Sequence, residues 1–410
     1  MTAWSPTWKV TIDSTEYNNV TLANLTVTSG RTDFYLPNQP SYAYFEIINL
    51  DTSAISIEIG QSVRLQVDGV GAYQSIFAGN VTDITIDVAK AGTNGLTQSI
   101  KVMALGTMQR LLNAYTDGVL SKDFDGNQVS SILASVEIGT WTGVPTADTW
   151  DTFDATMIWS DYGPYGTIDT PGDYELTSRS ASYDTAYNIV TAIATSALGY
   201  LYEDLQGRIN YADSTHRAEY LATNGYKNFS ANKAIGTSIS SQKRLGDVKN
   251  EVTITYKANA TYTASDDASI ASYGRKGVNI LTSLENGADA TSQAAYYLDS
   301  RSTPKALLRS ITFPLQNDEL TDTERADLLG LYMGVPVRIT DLPANMFNGE
   351  FEGFLEGYTY QASYNGLSIT LYISPLRFST IADAWTDVSA SLAWNAVNAT
   401  LTWQNAEVVS

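Results

Sequence analysis

Apolar and polar residues alternate with a period of two along much of this chain. Trp8, Val10 and Ile12 alternate with Lys9, Thr11 and Asp13, and the period returns in Ile55-Ile57-Ile59, Val63-Leu65-Val67 and Ile84-Ile86-Val88. That pattern predicts strands with one buried face. Turn clusters at Asp68-Gly69 and Gly92-Thr93-Asn94-Gly95 separate them. Residues 1–110 therefore read as a small antiparallel barrel or sandwich.

The period changes in residues 111–240. Asn127 is placed to cap a helix whose apolar face is Val129, Ile132, Leu133 and Val136. Gly139 to Tyr174 is rich in Gly, Pro, Asp and aromatics and reads as an irregular loop. After Asp184, the residues Ala186, Ile189, Val190, Ile193, Ala194 and Ala197 recur at helical spacing, with Gly199 placed to end the helix. "YLYEDLQGRINYAD" reads as two short strands around a turn at Asp204 to Gly207.

Strand periodicity resumes in residues 241–378. Val252, Ile254 and Tyr256 share one face, as do Leu367, Ile369, Leu371 and Ile373. Two helices lie between them. One starts near Ala290 and stops before Pro304; the other opens at Thr321 with Glu324 completing a capping box, and is expected to run to Gly334. Residues 379–410 form a short extension. The predicted class is mainly β with an α/β middle: two small β-barrel domains flank an α/β region, and a β extension follows.

Composition narrows the chemistry. The 410 residues contain no cysteine, so disulfides and thiolate metal sites are excluded. The opening "MTAWSPTWKV" lacks a charged segment followed by an apolar one, and the apolar run from Ile189 to Leu201 is too short to span a bilayer. With 44 acidic against 24 basic residues the formal charge is −20. Tight DNA binding draws on Lys and Arg, so this chain is not expected to grip DNA. Such acidity by itself reads first as solubility; a surface that DNA slides past is the other meaning it can have.

Candidate motifs for catalysis and metal binding fail on inspection. "DGVGAYQ" has Gly69 and Gly71 but Gln74 where a dinucleotide fingerprint needs its third Gly, and it joins strands as a hairpin turn would. "DFDGNQ" places Asp123, Asp125 and Asn127 at the odd positions of a calcium loop, but Gln128 and Ala134 replace its Gly and its bidentate Glu. His216 is the only histidine and is expected to be structural or on the surface. The carboxylates Glu203-Asp204, Asp266-Asp267 and Glu350/Glu352/Glu356 include no pair that sequence places across a cleft. The N-x-S/T matches, Asn19 and Asn24 among them, are expected by chance in so Thr-rich a chain. Neither catalysis nor a cofactor or metal is predicted.

Several longer stretches together carry a resemblance. "SGRTDFYLPNQPSYAYFEIINL", "IEIGQSVRLQVDG" and "IFAGNVTDITI" resemble the first barrel of the central hub proteins of bacteriophage tail tips and baseplates, in particular minor tail proteins of actinobacteriophages. "ALGYLYEDLQGRINYADSTHR" resembles their α/β segment. "YLDSRSTPKALLRSITFPL" and "LGLYMGVPVRITDLPANMFNGEFEGFLEGYTYQASYNGLSITLYISP" resemble their second barrel. The resemblance covers nearly the whole chain, although the two halves show no obvious sequence identity to one another. It implies a homotrimeric hub whose six barrels match the hexameric tail tube. The hub would sit between tube proteins above and tip or fibre proteins below, passing DNA transiently without specific binding. The expected location is the virion, with assembly in the bacterial host cytoplasm. A non-catalytic glycan-binding β protein of the virion or cell surface is the alternative.

The chain closes on a nine-residue repeat that carries Trp385, Trp394 and Trp403. Leu392 and Trp394 fall on one strand face, and Leu401 and Trp403 on the equivalent face of the next, with "NAVN" as the turn. A two-stranded unit this small needs its apolar face covered. Two coverings satisfy it: the chain's own body, or a neighbouring subunit, for which Trp385, Trp394, Trp403, Leu392 and Leu401 are the candidate interface residues.

Overall fold

The computed structural model describes residues 4–376, except 14, 18–20, 35, 50–55, 69–70, 93–94, 141–164, 258 and 364–365. Much of the expected 139–174 loop and the whole Trp repeat lie outside the described residues. The chain is mainly β, as its periodicity predicts. A 13-stranded sheet dominates. Its main path runs Ser240–Lys243, Ala306–Pro314, Gly366–Pro375, Phe351–Ser363, Thr21–Gly30, Gln39–Asn49, Gly95–Leu105, Tyr73–Gly92, Ser62–Asp68, Thr7–Ile12, Thr15–Tyr17. Strand pairing among the described residues joins the N-terminal and C-terminal halves edge to edge; it does not close either half into a separate barrel.

The path contains the same strand set twice. In the first half the neighbours run 21–30, 39–49, 95–105, 73–92, 62–68, 7–12; in the second they run 240–243, 306–314, 366–375, 351–363, 336–340, 227–230. Registers match as well. Val63 pairs with Gly79 and Leu65 with Phe77, just as Val337 pairs with Gly353 and Ile339 with Phe351. Gly60 (φ +90°) donates its N–H to the Val81 carbonyl at 2.8 Å, and Gly334 (φ +94°) donates to the Leu355 carbonyl at 2.8 Å. A Cβ on Gly79 would lie 2.3 Å from the Leu105 carbonyl oxygen, and one on Gly353 would lie 2.0 Å from that of Ser374. With this register the halves do show related sequence: "GQSVRL" aligns with "GVPVRI", and "FAGNVTDITI" with "FEGFLEGYTY". The apparent lack of identity is corrected on that point. The sets differ at their last pair, which is antiparallel in the first half and parallel in the second.

Two cores result. One contains Val10, Val27, Phe45, Leu65 and Val102 from the first half together with Phe313, Val337, Tyr360 and Leu371 from the second. The other holds Leu133, Ile189, Val190, Ile193, Leu201 and Tyr211. A three-stranded sheet (Ala260–Ser265, Glu251–Tyr256, Gly277–Leu281) and the helix Gly287–Arg301 complete it through Val252, Ile254, Ala290 and Ala294.

Local signals explain most of the helices. Ala186–Ser196 is capped by Thr185, whose hydroxyl accepts from the Asn188 N–H at 3.2 Å, and its apolar stripe is buried. The helix Asp125–Thr140 starts two residues before Asn127, because Asp125 itself is pulled into the core. Thr321 and Glu324 form the expected capping box of Asp322–Leu329. That helix stops at Gly330, short of Gly334, because the Gly334 N–H is committed to Leu355 and opens the next strand. Tyr200–Glu203 and Ile209–Ala212 pair around the Asp204–Gly207 turn.

Candidate assembly site: the seam between the halves

The seam is where Phe351–Ser363 runs antiparallel to Thr21–Gly30, with Gly357 opposite Gly30 and Gln361 opposite Thr26. Two glycines allow the approach. A Cβ on Gly30 (φ +82°) would lie 2.3 Å from the Glu356 carbonyl oxygen, and one on Gly357 would lie 2.6 Å from that of Ser29. Register slips between Leu355 and Gly357. This bulge re-aims Glu356 inward.

Glu356 is 1% exposed and gathers three parts of the chain. Arg31, just past the seam strand, donates Nε to Oε2 at 2.7 Å. Arg217, from the helix His216–Asn224, donates Nη1 to Oε1 at 2.7 Å and Nη2 to Oε2 at 3.1 Å. The Ser374 hydroxyl donates to Oε1 at 2.5 Å. Burial pushes the carboxyl upward, but the charges of Arg217 and then Arg31 override it and hold it at about 2. Burial likewise opposes the charge on Arg217, and Glu356 restores it. The Arg217 guanidinium lies 4.5 Å from the Tyr200 ring and 5.3 Å from that of Phe354. Removing one partner of such a group leaves an uncompensated buried charge, so the cluster makes the placement of three segments mutually dependent.

Glu203 makes a second junction. Its carboxylate accepts from the Ser41 N–H at 2.7 Å and the Met108 N–H at 2.5 Å, tying the middle region to the first half. Burial outweighs those bonds and raises the carboxyl to about 7. Beside the seam, a cleft of about 400 Å³ is lined by Phe34, Tyr187, Tyr297 and Arg301 together with Arg31 and Arg217. The last two already pair with Glu356, which removes their charge from ligand binding.

The candidate chemical residues are used structurally. His216 Nδ1 lies 2.7 Å from Asp169, and the His216 N–H donates to Asp213 at 3.0 Å at the start of its helix. Asp123 accepts from the Asn127 side chain at 2.9 Å, while Asp125 accepts from the Tyr211 hydroxyl at 2.6 Å, so the three do not converge as cation ligands. Among the described residues no group of three or more His, Asp or Glu is placed to hold a metal. Asp204 bridges its own turn to Arg208, Asp266 caps Asp267–Tyr273, and Glu350 and Glu352 both meet Arg338. Gly71 donates its N–H to Asp68 beside the paired ends of two strands, where Asp68 stands opposite Tyr73. Sequence reasoning missed the role of Arg31, Arg217 and Glu356. The available signal was a Glu within "FEGFLEG" at a position where the repeated strand has Thr82. Trp385, Trp394, Trp403, Leu392 and Leu401 lie outside the described residues.

This fold is that of phage tail proteins. Two solved structures share it over nearly the full chain. The 43 kDa tail protein of prophage MuSo2 from Shewanella oneidensis superposes with TM-score 0.57 at 11% identity, covering 92% of this chain and 100% of that one. The tail protein from Neisseria meningitidis MC58 gives TM-score 0.58 at 12% identity, covering 90% and 96%. No protein-family model matches the chain, and no curated protein is similar to it in sequence.

Proposed function

We propose that this chain is a non-enzymatic structural subunit of a phage tail tip or baseplate, located in the virion and assembled in the host cytoplasm. It acts as a homotrimeric hub joining the hexameric tail tube to the distal tip and lining part of the DNA ejection channel. The observation that carries this reading is the doubled strand set within a tail-protein fold: three chains with two equivalent β units each present six to a six-fold tube. The two units fill the place of the two hub barrels. The charge of −20 suits a wall that DNA passes without adhering. The Trp repeat serves as the docking element for a neighbouring tail-tip protein. Among the described residues no helix is long and apolar enough to cross a membrane.

Size-exclusion chromatography with light scattering, followed by negative-stain imaging with tail-tube protein, tests the reading. A trimer that forms a ring on the end of the tube is expected. A monomer that binds host cell-wall glycan with micromolar affinity would overturn it, as would tight, salt-sensitive binding of duplex DNA.

A further inference from the structure

The seam occurs once within the chain, but the strand set that makes it occurs twice. The second-half strand Phe351–Ser363 has its outer edge covered by Thr21–Gly30 from residue 357 to 361. Its first-half equivalent, Tyr73–Gly92, pairs with Ser62–Asp68 through residues 73–80 and with Gly95–Leu105 through residues 80–92. Beyond Val81 its other edge has no strand beside it among the described residues. The shared registers make Asp83 the counterpart of Gly357, since Asp83 faces Met103 after a bulge just as Gly357 faces Tyr372 after one.

Burial differs in the same sense, although the helix Asp322–Leu329 also covers the seam strand, its Leu328 carbonyl accepting from the Tyr360 hydroxyl at 3.0 Å. Tyr358 and Tyr360 on the seam strand are 3% and 0% exposed. Ile86, at the position of Tyr360, is 60% exposed, and Val88 is 63% exposed. Ile59, beside Gly60, is 70% exposed next to the same edge. A long edge strand that leaves apolar side chains in water is a site for another strand.

The strand that fits it is present in the chain. Ser240–Lys243 is the counterpart of Thr21–Gly30, at the far end of the sheet, and among the described residues pairs only with Ala306–Pro314. Phe45 and Ile311 are equivalent through their partners Val102 and Leu371. Ser241 stands at the position of Thr28, because Thr28 pairs with Tyr42 and Ser241 with Leu308; two residues further along each strand, Lys243 is level with Gly30, with the difference that Gly30 meets Gln39 across a bulge and Lys243 meets Ala306 without one. Arg244 then stands where Arg31 stands, directly past the edge. Charge agrees with the match: the open edge carries Asp83, while Asp87 is already paired with Lys101 at 2.7 Å, and the strand that meets it ends in Lys243 and Arg244. Leu245, 53% exposed, adds apolar surface beside them.

We infer that the open edge at Asp83–Asp87 of one copy takes the Ser240–Lys243 strand of the next copy, repeating the internal seam between chains. Asp83 then lies opposite Lys243, as Gly357 lies opposite Gly30, and the Arg244 N–H bonds the Thr82 carbonyl as the Arg31 N–H bonds that of Glu356 at 2.9 Å. The contact joins two different surfaces of one chain. It is therefore head-to-tail and closes only as a ring. In a ring of three, internal and external seams alternate six times. The inference rests on the trimeric reading above for the number of copies, but the pairing of these two edges is argued from the duplicated strands alone.

The chain has no cysteine, so a crosslink reads this contact directly. Asp83→Cys combined with Lys243→Cys places two thiols on antiparallel neighbours, whose separation suits a disulfide. Mild oxidation is expected to yield covalent dimer and trimer on non-reducing gels, and neither single variant should do so. Charge exchange gives a second measure. Asp83→Lys alone or Lys243→Asp alone should weaken self-association by about fivefold or more, and the double exchange should recover it. A double-cysteine protein that is trimeric by light scattering yet forms no crosslink would overturn the edge pairing and leave the hub reading standing. A monomer that forms no crosslink would sink both.

Discussion

Glu356→Gln is the most informative substitution in the seam. It keeps the side chain's volume and removes its charge, leaving the guanidinium groups of Arg31 and Arg217 buried beside a neutral amide. A carboxyl held at about 2 in the folded chain, against 4.5 unperturbed, corresponds to roughly 3 kcal/mol of stabilisation at neutral pH. That agrees with the usual cost of breaking a buried ion pair from one side. The folded value lies below the unfolded one. This contribution is therefore present above pH 4.5 and is lost as pH falls through about 2. Urea denaturation at pH 7 should show a variant about 3 kcal/mol less stable with an unchanged slope, because the surface exposed on unfolding is the same. Repeating the measurement at successively lower pH should narrow the gap gradually below pH 4.5 and close it only near pH 2. A variant within about 0.5 kcal/mol of wild type at pH 7 would refute the reasoning, since it would mean that the arginines need no counter-charge.

Glu203 predicts the opposite slope. With its folded value raised to about 7, its proton is held more tightly in the folded chain, so stability falls as pH rises from 4.5 to 7; Glu203→Met should flatten that part of a denaturation-versus-pH series. Gly79→Ala and Gly353→Ala should each destabilise by about 1–3 kcal/mol, because both added methyls meet a partner-strand carbonyl; thermal melting equal to wild type in either would contradict the shared geometry. Ile193→Asp, at a position 4% exposed, buries an unpaired carboxylate and should cost several kcal/mol, seen as insoluble or unfolded protein by circular dichroism. Deleting residues 384–410 should leave the melting transition in place while lowering incorporation into virions, as measured by immunoblot of purified particles.

Local patterning determined the elements. Val63-Leu65-Val67 and Ile84-Ile86-Val88 had to be strands, because only a period of two puts those side chains on one face. Ile189, Val190 and Ile193 required a helix, and Thr321 with Glu324 set where another begins. Each of these depends on residues within a turn or two of one another. The seam depends on residues far apart. Glu350, Glu352 and Glu356 are alike in the sequence, yet two meet Arg338 near the surface while the third is buried between Arg31 and Arg217, 325 and 139 residues away. No local rule separates them, because burial and partner are properties of the assembled sheet. The doubled strand set lies between these extremes. Its residues were visible as "GQSVRL" and "GVPVRI", but a strand constrains only alternate positions and a few close approaches, so most of the sequence is free to diverge. Hydrogen-bond register is what identifies Gly60 with Gly334 and Gly79 with Gly353. It also exposes an asymmetry, in which one edge is covered by the chain itself and its counterpart has no strand beside it among the described residues.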